Sequence, residues 1–191
     1  MNLIDEKRIL RGTMLAWRGS LGEDERRAAA HGLLEMWRLE RPVQTPAVVS
    51  GFWPMAEELD IRPLMMELAN QGCQLALPVV VAKRQPLVFR AWRPGDALEA
   101  GVFGTLHPSP KREVVEPEAL IVPLLAVDEE GWRLGYGGGF YDRTLEALRA
   151  KKTITAIGVG FNAQLVPEVP HGTSDQRLDW LLTDKRACAF V

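Results

Sequence analysis

The sequence predicts an α/β domain, a three-layer αβα sandwich around a mostly parallel or mixed sheet. Short apolar runs, several of them β-branched, alternate along the chain with longer segments of helical periodicity. This alternation is typical of layered α/β domains. The 191 residues suffice for one sizeable core, and no Pro- or Ser-rich linker or change of composition divides them. We therefore expect residues 1–191 to form a single domain.

Two helices are predicted at the start of the chain. The first covers residues 5–18, where an apolar stripe repeats at spacings of four, three and four: Leu10, Met14, Trp17 and Leu21. The second covers residues 23–39 and ends before Pro42. Beside the apolar stripe of the first helix runs a basic stripe of three residues: Lys7, Arg11 and Arg18. A solvated basic face is the ordinary explanation for such a stripe.

The remaining elements are predicted from short apolar runs and from helical spacing. The strands are expected at residues 47–52, 74–79, 86–92, 119–126, 154–160 and 179–183. The helices are expected at residues 61–70 and 141–152. A long loop rich in Pro and Gly is expected at residues 94–110.

A glycine cluster follows the most continuous apolar run of the chain. Four of the 17 glycines stand within five residues: Gly135, Gly137, Gly138 and Gly139. Such a loop brings several backbone N–H groups close to one ligand, and phosphate is the usual ligand where a helix begins directly afterwards. Arg133 and Asp142 add a cation for phosphate and an oxygen ligand for Mg²⁺. A tight turn between strand and helix is the simpler alternative.

The cluster matches neither of two familiar phosphate loops. The spacing is G-x-G-G-G, so the dinucleotide-binding pattern G-x-G-x-x-G is absent, and no lysine follows as the Walker pattern requires. The wider segment VPLLAVDEEGWRLGYGGGFYDRTL resembles the signature of the 5-formyltetrahydrofolate cyclo-ligase family, approximately P-x-L-A-F-D-x-x-G-x-R-L-G-Y-G-G-G-Y-Y-D-R-x-L. Val127 and Phe140 depart from that pattern.

The resemblance implies a NagB/RpiA/CoA-transferase-like sandwich and an enzyme. Its reaction would be the ATP- and Mg²⁺-dependent cyclisation of 5-formyltetrahydrofolate to 5,10-methenyltetrahydrofolate, through phosphorylation of the formyl oxygen, with ADP and phosphate released. It implies catalytic roles for Arg133 and Tyr141 and Mg²⁺ ligands at Asp142 and Asp175. The folate contacts that it implies are Trp53, Glu58, Phe103 and Tyr141. The ATP contacts that it implies are Lys7, Arg8, Ile9, Leu10, Arg11, Arg133, Leu134, Gly135, Tyr136, Gly137, Gly138, Gly139, Phe140 and Tyr141.

Simpler explanations exist for two of the folate contacts. Glu58 lies among acidic residues that could form the first turn of the helix at residues 61–70. Phe103 could be a hydrophobic anchor of the long loop. His107 stands where the family often has Glu, so we assign it no role.

Composition narrows the classes of partner. A net charge of −2 gives no support for nucleic acid or a membrane surface. No apolar run approaches a membrane span, and the charged start does not suit a signal peptide. The two cysteines have neither C-x-x-C spacing nor a His spacing suited to zinc. We expect a cytoplasmic monomer acting on small molecules.

Three alternatives stay open at this point. The first is another nucleotide- or sugar-phosphate-binding enzyme on the same sandwich, such as an isomerase. The second is an inactive relative that binds folate or a partner protein, and the third is a purely structural role.

Overall fold

The computed structural model describes residues 2–43 and 47–190. Within these ranges the helices are α1 (Leu3–Gly19), α2 (Glu23–Glu40), α3 (Arg62–Asn70) and α4 (Phe140–Arg149). The strands are β1 (Val48–Ser50), β2 (Gln74–Val79), β3 (Val88–Ala91), β4 (Leu98–Ala100), β5 (Leu106–Pro108), β6 (Ala119–Pro123), β7 (Ala126–Val127), β8 (Arg133–Leu134), β9 (Thr155–Val159), β10 (Trp180–Leu182) and β11 (Ala187–Ala189).

Seven strands form one mixed sheet in the order β11-β10-β9-β6-β1-β2-β3. The five central strands run parallel to one another, and the two edge strands, β11 and β3, pair antiparallel. The predicted layered α/β fold with a mostly parallel or mixed sheet is therefore confirmed.

Helices cover both faces of this sheet because its central strands are apolar on both faces. Along β6, Ala119 and Ile121 lie in a core cluster with residues of α2 and α3, whereas Leu120 and Val122 lie in a second cluster with residues of α4. Successive side chains of a strand point to opposite faces, so α2 and α3 form one outer layer and α4 forms the other.

The chain changes direction across the sheet between β1 and β6. These neighbouring strands are parallel, with Ser50 opposite Leu120. The segment after β1 leads through α3 to β2 on one side, whereas the segment after β6 leads through α4 to β9 on the other side. The two connections therefore diverge at the carboxyl ends of the strands and leave a crevice, the usual place for a ligand in such a sheet.

A small hairpin carries the glycine segment to that crevice. Strands β7 and β8 pair antiparallel, and their turn is fixed by the buried carboxylate of Asp128. Its oxygens accept hydrogen bonds from the backbone N–H groups of Glu130, Trp132 and Val169 at 2.9–3.0 Å. Helix α1 packs against this hairpin, with Met14 beside Leu134 in a third apolar cluster.

Three features differ from the prediction. The segment at residues 94–110 is not only a loop, because β4 and β5 form an antiparallel hairpin within it. The predicted strand at residues 119–126 ends at Pro123 and resumes at Ala126 as part of the β7–β8 hairpin. Strands β8 and β11 were not predicted, because two- and three-residue strands carry little periodicity.

Among the described helices, none has the length and apolar content that crossing a bilayer requires.

Two helical glycines make a matched test of the packing of α2. An added Cβ at Gly32 would overlap the backbone carbonyl oxygen of Asp184, whereas at Gly12 in α1 it would meet no atom of the described residues within 4 Å. We expect Gly12→Ala to raise the free energy of unfolding by about 0.5–1 kcal/mol, as helix propensity predicts. Gly32→Ala should lower it by about 1–3 kcal/mol through steric strain. Urea titration measures both, and equal effects would contradict the close approach of α2 to Asp184.

Candidate active site

A cavity of about 920 Å³ lies at the crevice between the connections after β1 and β6. Its walls come from α1, the segment after β1, the β4–β5 hairpin, the glycine loop at residues 135–139 and the first turn of α4. A further wall contains Ser174 and Asp175. A cavity of this size is ample for a drug-sized ligand.

The glycine loop turns directly into α4. Gly137 and Gly139 have φ angles of +97° and +64°, a conformation that side chains with a Cβ rarely adopt. Gly138 does not have a positive φ angle of this kind, but a Cβ on it would lie 2.7 Å from the ring of Phe140. Gly139 is the N-cap residue of α4, so the positive end of the helix dipole faces the loop. The loop therefore has the backbone geometry of an anion site.

Two cations of α1 approach the same region. Arg11 donates from Nε to the carbonyl oxygen of Gly135 at 2.8 Å. Lys7 donates from Nζ to Oδ2 of Asp175 at 2.6 Å, and Asp175 also accepts from the backbone N–H of Gly172 at 2.6 Å. Both cations line the cavity, so α1 contributes positive charge to the same cavity as the glycine loop.

Arg133 and Asp142 form a largely buried ion pair at the base of the loop. Arg133 donates from Nη1 to Oδ1 of Asp142 at 2.7 Å, and the Arg133 side chain is only 4% exposed. The same oxygen accepts from the backbone N–H of Gln176 at 3.1 Å. Nε of Arg133 is buried and has no hydrogen-bond partner among the described residues. The pair fixes a cation in the wall of the cavity.

Glu58 is a buried carboxylate in the segment after β1. It is 7% exposed and accepts hydrogen bonds from the backbone N–H of Met55 at 2.8 Å and from the Tyr136 hydroxyl at 2.9 Å. Burial raises the pKa of Glu58, while these two hydrogen bonds and the nearby charge of Arg18 act to lower it. A buried carboxylate at the carboxyl end of a parallel strand is therefore available to accept hydrogen bonds from a ligand.

The aromatic side chains of the cavity differ in their packing and exposure. Trp53 packs edge-on against Trp92, with ring centroids 5.9 Å apart, and the Arg62 guanidinium lies 5.7 Å from its ring centroid. Phe103 stands at the tip of the β4–β5 hairpin with a φ angle of +58° and 65% of its surface exposed. Its ring centroid is 6.2 Å from that of Phe140. A non-glycine residue in this conformation is uncommon and is often found at a binding site.

Tyr141 lies in the first turn of α4 and lines the cavity. Its hydroxyl is buried and has no hydrogen-bond partner among the described residues. Burial raises the pKa of this hydroxyl; the charge of Glu58 adds to the increase and that of Arg133 opposes it. The hydroxyl therefore stays protonated.

Three residues of the first predicted ATP segment do not reach the cavity. Arg8 has a 71% exposed side chain and pairs with Asp5, and Ile9 is 48% exposed. Leu10 packs into the apolar cluster under α1. Consecutive helical residues point about 100° apart, so only one face of α1, with Lys7 and Arg11, lines the cavity. Their positions do not support the prediction that Arg8, Ile9 and Leu10 contact the nucleotide directly.

All the other predicted site residues line the cavity. They are Lys7, Arg11, Trp53, Glu58, Phe103, Arg133, Leu134, Gly135, Tyr136, Gly137, Gly138, Gly139, Phe140, Tyr141, Asp142 and Asp175. The prediction missed two further cations. Arg18 donates to the Tyr136 hydroxyl, and Arg143 donates from Nη2 to the carbonyl oxygen of Gly138 at 2.6 Å. Arg18 could have been included, because it shares the basic stripe of α1 with Lys7 and Arg11.

Two carboxylates of the cavity, those of Asp142 and Asp175, suit Mg²⁺. No group of three or more His, Cys, Asp or Glu residues suited to a metal occurs in the part of the chain that the structure describes. Oδ2 of Asp142 and Oδ1 of Asp175 accept no hydrogen bond from those residues. Mg²⁺ is commonly bound by one or two carboxylates together with phosphate oxygens and water, so this donor set fits it.

The fold and the cavity define an α/β enzyme with an anion-binding glycine loop and a buried carboxylate in one cleft. The sequence profile of the 5-formyltetrahydrofolate cyclo-ligase family matches residues 3–184, so the chain belongs to that family. It is 35% identical to the 5-formyltetrahydrofolate cyclo-ligase of Mycolicibacterium smegmatis over 146 residues, which cover 72% of this chain and 74% of that protein. It is 36% identical to the Escherichia coli K12 cyclo-ligase over 134 residues, which cover 68% and 73%.

Two solved structures have the same fold. The 5,10-methenyltetrahydrofolate synthetase of Aquifex aeolicus has a TM-score of 0.80 at 28% identity and covers 96% of this chain and 92% of its own. The synthetase of Mycoplasma pneumoniae has a TM-score of 0.75 at 18% identity and covers 94% of this chain and 99% of its own. At that lower identity the likeness is one of fold alone.

The two tyrosines of the cavity are expected to respond in opposite ways to the loss of a hydroxyl. Tyr141→Phe removes a buried donor that has no described partner, so the free energy of unfolding should stay constant or rise by about 1 kcal/mol. Tyr136→Phe removes a hydroxyl that bonds both Arg18 and Glu58. The free energy of unfolding of this variant should therefore fall by about 1 kcal/mol or more. Thermal melts of the two variants check this, and a lower melting temperature for Tyr141→Phe would contradict it.

Proposed function

We propose that the protein catalyses the ATP- and Mg²⁺-dependent cyclisation of 5-formyltetrahydrofolate to 5,10-methenyltetrahydrofolate, with release of ADP and phosphate. The observation that carries the proposal is that one cavity holds a cation-lined glycine loop and the buried Glu58 carboxylate. The loop suits the phosphates of a nucleotide. The carboxylate suits the amino and N–H groups of a pterin ring.

The chemistry explains why both ligands must share one cavity. A formamide carbon is a poor electrophile, so its oxygen must be converted into a leaving group before N10 of the folate can attack. The formyl oxygen would take the γ-phosphoryl group of ATP, with release of ADP. N10 would then bond to the formyl carbon, and phosphate would leave with the oxygen while N10 loses its proton. Catalysis of this kind depends on positioning and on stabilising developing charge.

In this proposal the phosphates lie against the glycine loop. The backbone of Gly137 and Gly139 and the N-terminus of α4 would bind them, and Lys7 and Arg11 would offset their charge. Both cations have hydrogen-bond partners within the protein, Asp175 and the Gly135 carbonyl oxygen. These contacts restrain both side chains in the wall of the cavity, so less conformational freedom is lost when a phosphate binds.

Asp142 and Asp175 are the proposed holders of Mg²⁺, each with one carboxylate oxygen that accepts no bond from the described residues. The ion would neutralise charge on the phosphate oxygens. Arg133 keeps Asp142 oriented through its 2.7 Å bond and adds positive charge at the same place. The proposed catalytic role of Arg133 is to stabilise charge on the transferred phosphoryl group through the positive charge of its guanidinium.

The pterin ring lies toward Glu58 in this proposal. An ionised carboxylate can accept two parallel N–H bonds, and such charge-assisted bonds are about twice as strong as neutral ones. Trp53 and Phe103 would contact the ring faces, and the latter lies on a hairpin that forms one wall of the cavity. Tyr141 is the proposed contact at the reacting end of the folate, because it lines the cavity in the first turn of α4.

A relative that binds folate without catalysis is the remaining alternative, because Phe140 stands where the family pattern has Tyr. The glycine loop, the Arg133–Asp142 pair and the Lys7–Asp175 pair support the catalytic proposal against it. A single domain, a cytoplasmic location and a monomeric state stay predictions.

The central test is the absorbance of methenyltetrahydrofolate in mixtures of the protein with its proposed substrates. We expect the product only when 5-formyltetrahydrofolate, ATP and Mg²⁺ are all present, with one ADP and one phosphate formed per methenyl group. Omitting the nucleotide or adding a chelator should abolish turnover. Product formed without nucleotide would remove the ligase assignment, and folate binding without any turnover would favour the non-catalytic alternative.

Two arginines of α1 allow a matched test of the nucleotide site. Arg11 lines the cavity, whereas Arg8 points to solvent and, among the described residues, pairs with Asp5 alone. Arg11→Met should raise the KM for ATP by about tenfold or more, because a charge-assisted contact is worth about 1.5–3 kcal/mol. Arg8→Met should change it by less than about twofold, as exposed ion pairs contribute little. Steady-state kinetics at saturating 5-formyltetrahydrofolate distinguishes them, and equal effects would argue against the assigned face of α1.

A further inference from the structure

A chain of hydrogen bonds joins α1, the glycine loop and Glu58. Arg18 donates from Nη2 to the hydroxyl of Tyr136, and that hydroxyl donates to Oε1 of Glu58 at 2.9 Å. The Arg18 guanidinium also lies 5.5 Å from the centroid of the Tyr136 ring. Tyr136 therefore has a cation on one side and a carboxylate on the other.

Arg18 is placed in an unusual environment for a cation. It is only 2% exposed, and its Nε has no hydrogen-bond partner in the described part of the chain. Burying a cation is costly unless its charge is compensated. The structure gives Arg18 no direct ion pair among these residues, and its hydrogen bond to the Tyr136 hydroxyl leads instead to Glu58.

The contacts to Glu58 fix its orientation and leave room for a ligand. Oε2 accepts from the Met55 backbone and Oε1 accepts from Tyr136, so each oxygen has one protein donor. An ionised carboxylate offers about four acceptor positions, two on each oxygen. One position on each oxygen therefore stays free, which is the arrangement that two adjacent N–H donors of a ring require.

We propose that Arg18 and Tyr136 are positioning residues that hold the Glu58 carboxylate ionised and aimed for a ring with two adjacent N–H donors. The inference rests on the proposed function, because it concerns the same folate end of the cavity. It extends that function by assigning a role to an arginine of α1 and to the tyrosine side chain of the glycine loop. Neither side chain has to touch the folate for this role.

Two arginines of α1 hold the glycine loop at different points. Arg11 bonds the backbone of the loop at Gly135, and Arg18 bonds its side chain at Tyr136. These arginines are seven residues apart, which is two turns of α1, so one face of one helix holds the loop at two points. Because Arg11 holds the loop backbone and Arg18 bonds the Tyr136 side chain, losing the Arg18 contact should disturb Glu58 more than the phosphate end of the loop.

The charged and titratable groups around Glu58 determine how its affinity for a ligand depends on pH. They are Arg18 from α1, Tyr136 from the loop, Tyr141 from α4 and the neighbouring Glu57. Tyr136 and Arg18 lower the pKa of Glu58 against the effect of burial. Removing either contact should raise that pKa further. Folate binding needs the ionised form, so the acid limb of the binding profile should move to higher pH.

Two substitutions test the pair. Tyr136→Phe removes only the hydroxyl, and Arg18→Met keeps the length of the side chain but removes its charge. For each, the KM for 5-formyltetrahydrofolate should rise by about tenfold or more, while the KM for ATP changes by less than about threefold. The acid limb of kcat/KM for folate should shift to higher pH in both. Arg27→Met on α2 is the control, because Arg27 is exposed and its one ion pair within residues 2–43 and 47–190 is with Asp24.

A double-mutant cycle separates positioning from a general structural effect. If Tyr136 acts through Glu58, combining Tyr136→Phe with Glu58→Gln should weaken folate binding by clearly less than the sum of the separate effects on free energy. Additive effects, or a KM for ATP that rises in parallel with that for folate, would overturn the inference. If Arg18→Met does not fold, Arg18→Lys and Tyr136→Phe decide the question, since Lys should retain part of the effect of the charge.

Calorimetric titration with 5-formyltetrahydrofolate distinguishes this inference from the proposed function. A wild-type protein that does not bind the folate contradicts the proposed function and, with it, this inference. A wild-type protein that binds, together with Tyr136→Phe and Arg18→Met variants that bind equally well with unshifted pH profiles, contradicts only the positioning role.

Discussion

The parallel pairing of β1 and β6 is the constraint on which the site depends. Their connections leave toward opposite faces of the sheet, because α3 packs in one outer layer and α4 in the other. A crevice at the carboxyl ends of these two strands follows from that divergence. One side of the crevice receives Glu58 from the segment after β1, and the other receives the glycine loop from the hairpin after β6. Both arrive there through the topology of the sheet.

Charge compensation is the second principle of the site. Five cations line the cavity beside carboxylates or backbone acceptors of the described residues. The pairs are Lys7 with Asp175, Arg133 with Asp142, Arg11 with Gly135, Arg143 with Gly138, and Arg18 through Tyr136 with Glu58. Such pairing keeps a concentrated positive region stable when no phosphate is bound. It also fixes the carboxylates, so the groups proposed to bind nucleotide, Mg²⁺ and folate are oriented by one another.

Site residues that form a contiguous loop were predicted better than site residues on a helix, whose contacts depend on the direction in which each side chain points. The glycine loop was found because its composition is extreme, and the segment that follows it begins α4 as its spacing indicates. Arg8, Ile9 and Leu10 were included because they lie within a matching motif, but a helix turns them away from Lys7 and Arg11. Arg18 was left out although it lies on the same face of α1, because the spacing alone did not identify its partner.

By itself, the sequence determined the layered α/β fold, the family of the chain and the position of the glycine loop. Periodicity and local composition are sufficient for the fold class and the loop, since they express the burial and backbone preferences of neighbouring residues. The family followed from the resemblance of the glycine segment to the family signature. Only the tertiary structure decided that Arg18 bonds Tyr136, that Tyr136 bonds Glu58, and that the Tyr141 hydroxyl has no described partner. Tyr136 and Glu58 are 78 positions apart in the chain. Contacts at such separations arise only from the packing of the layers, and no local pattern encodes them.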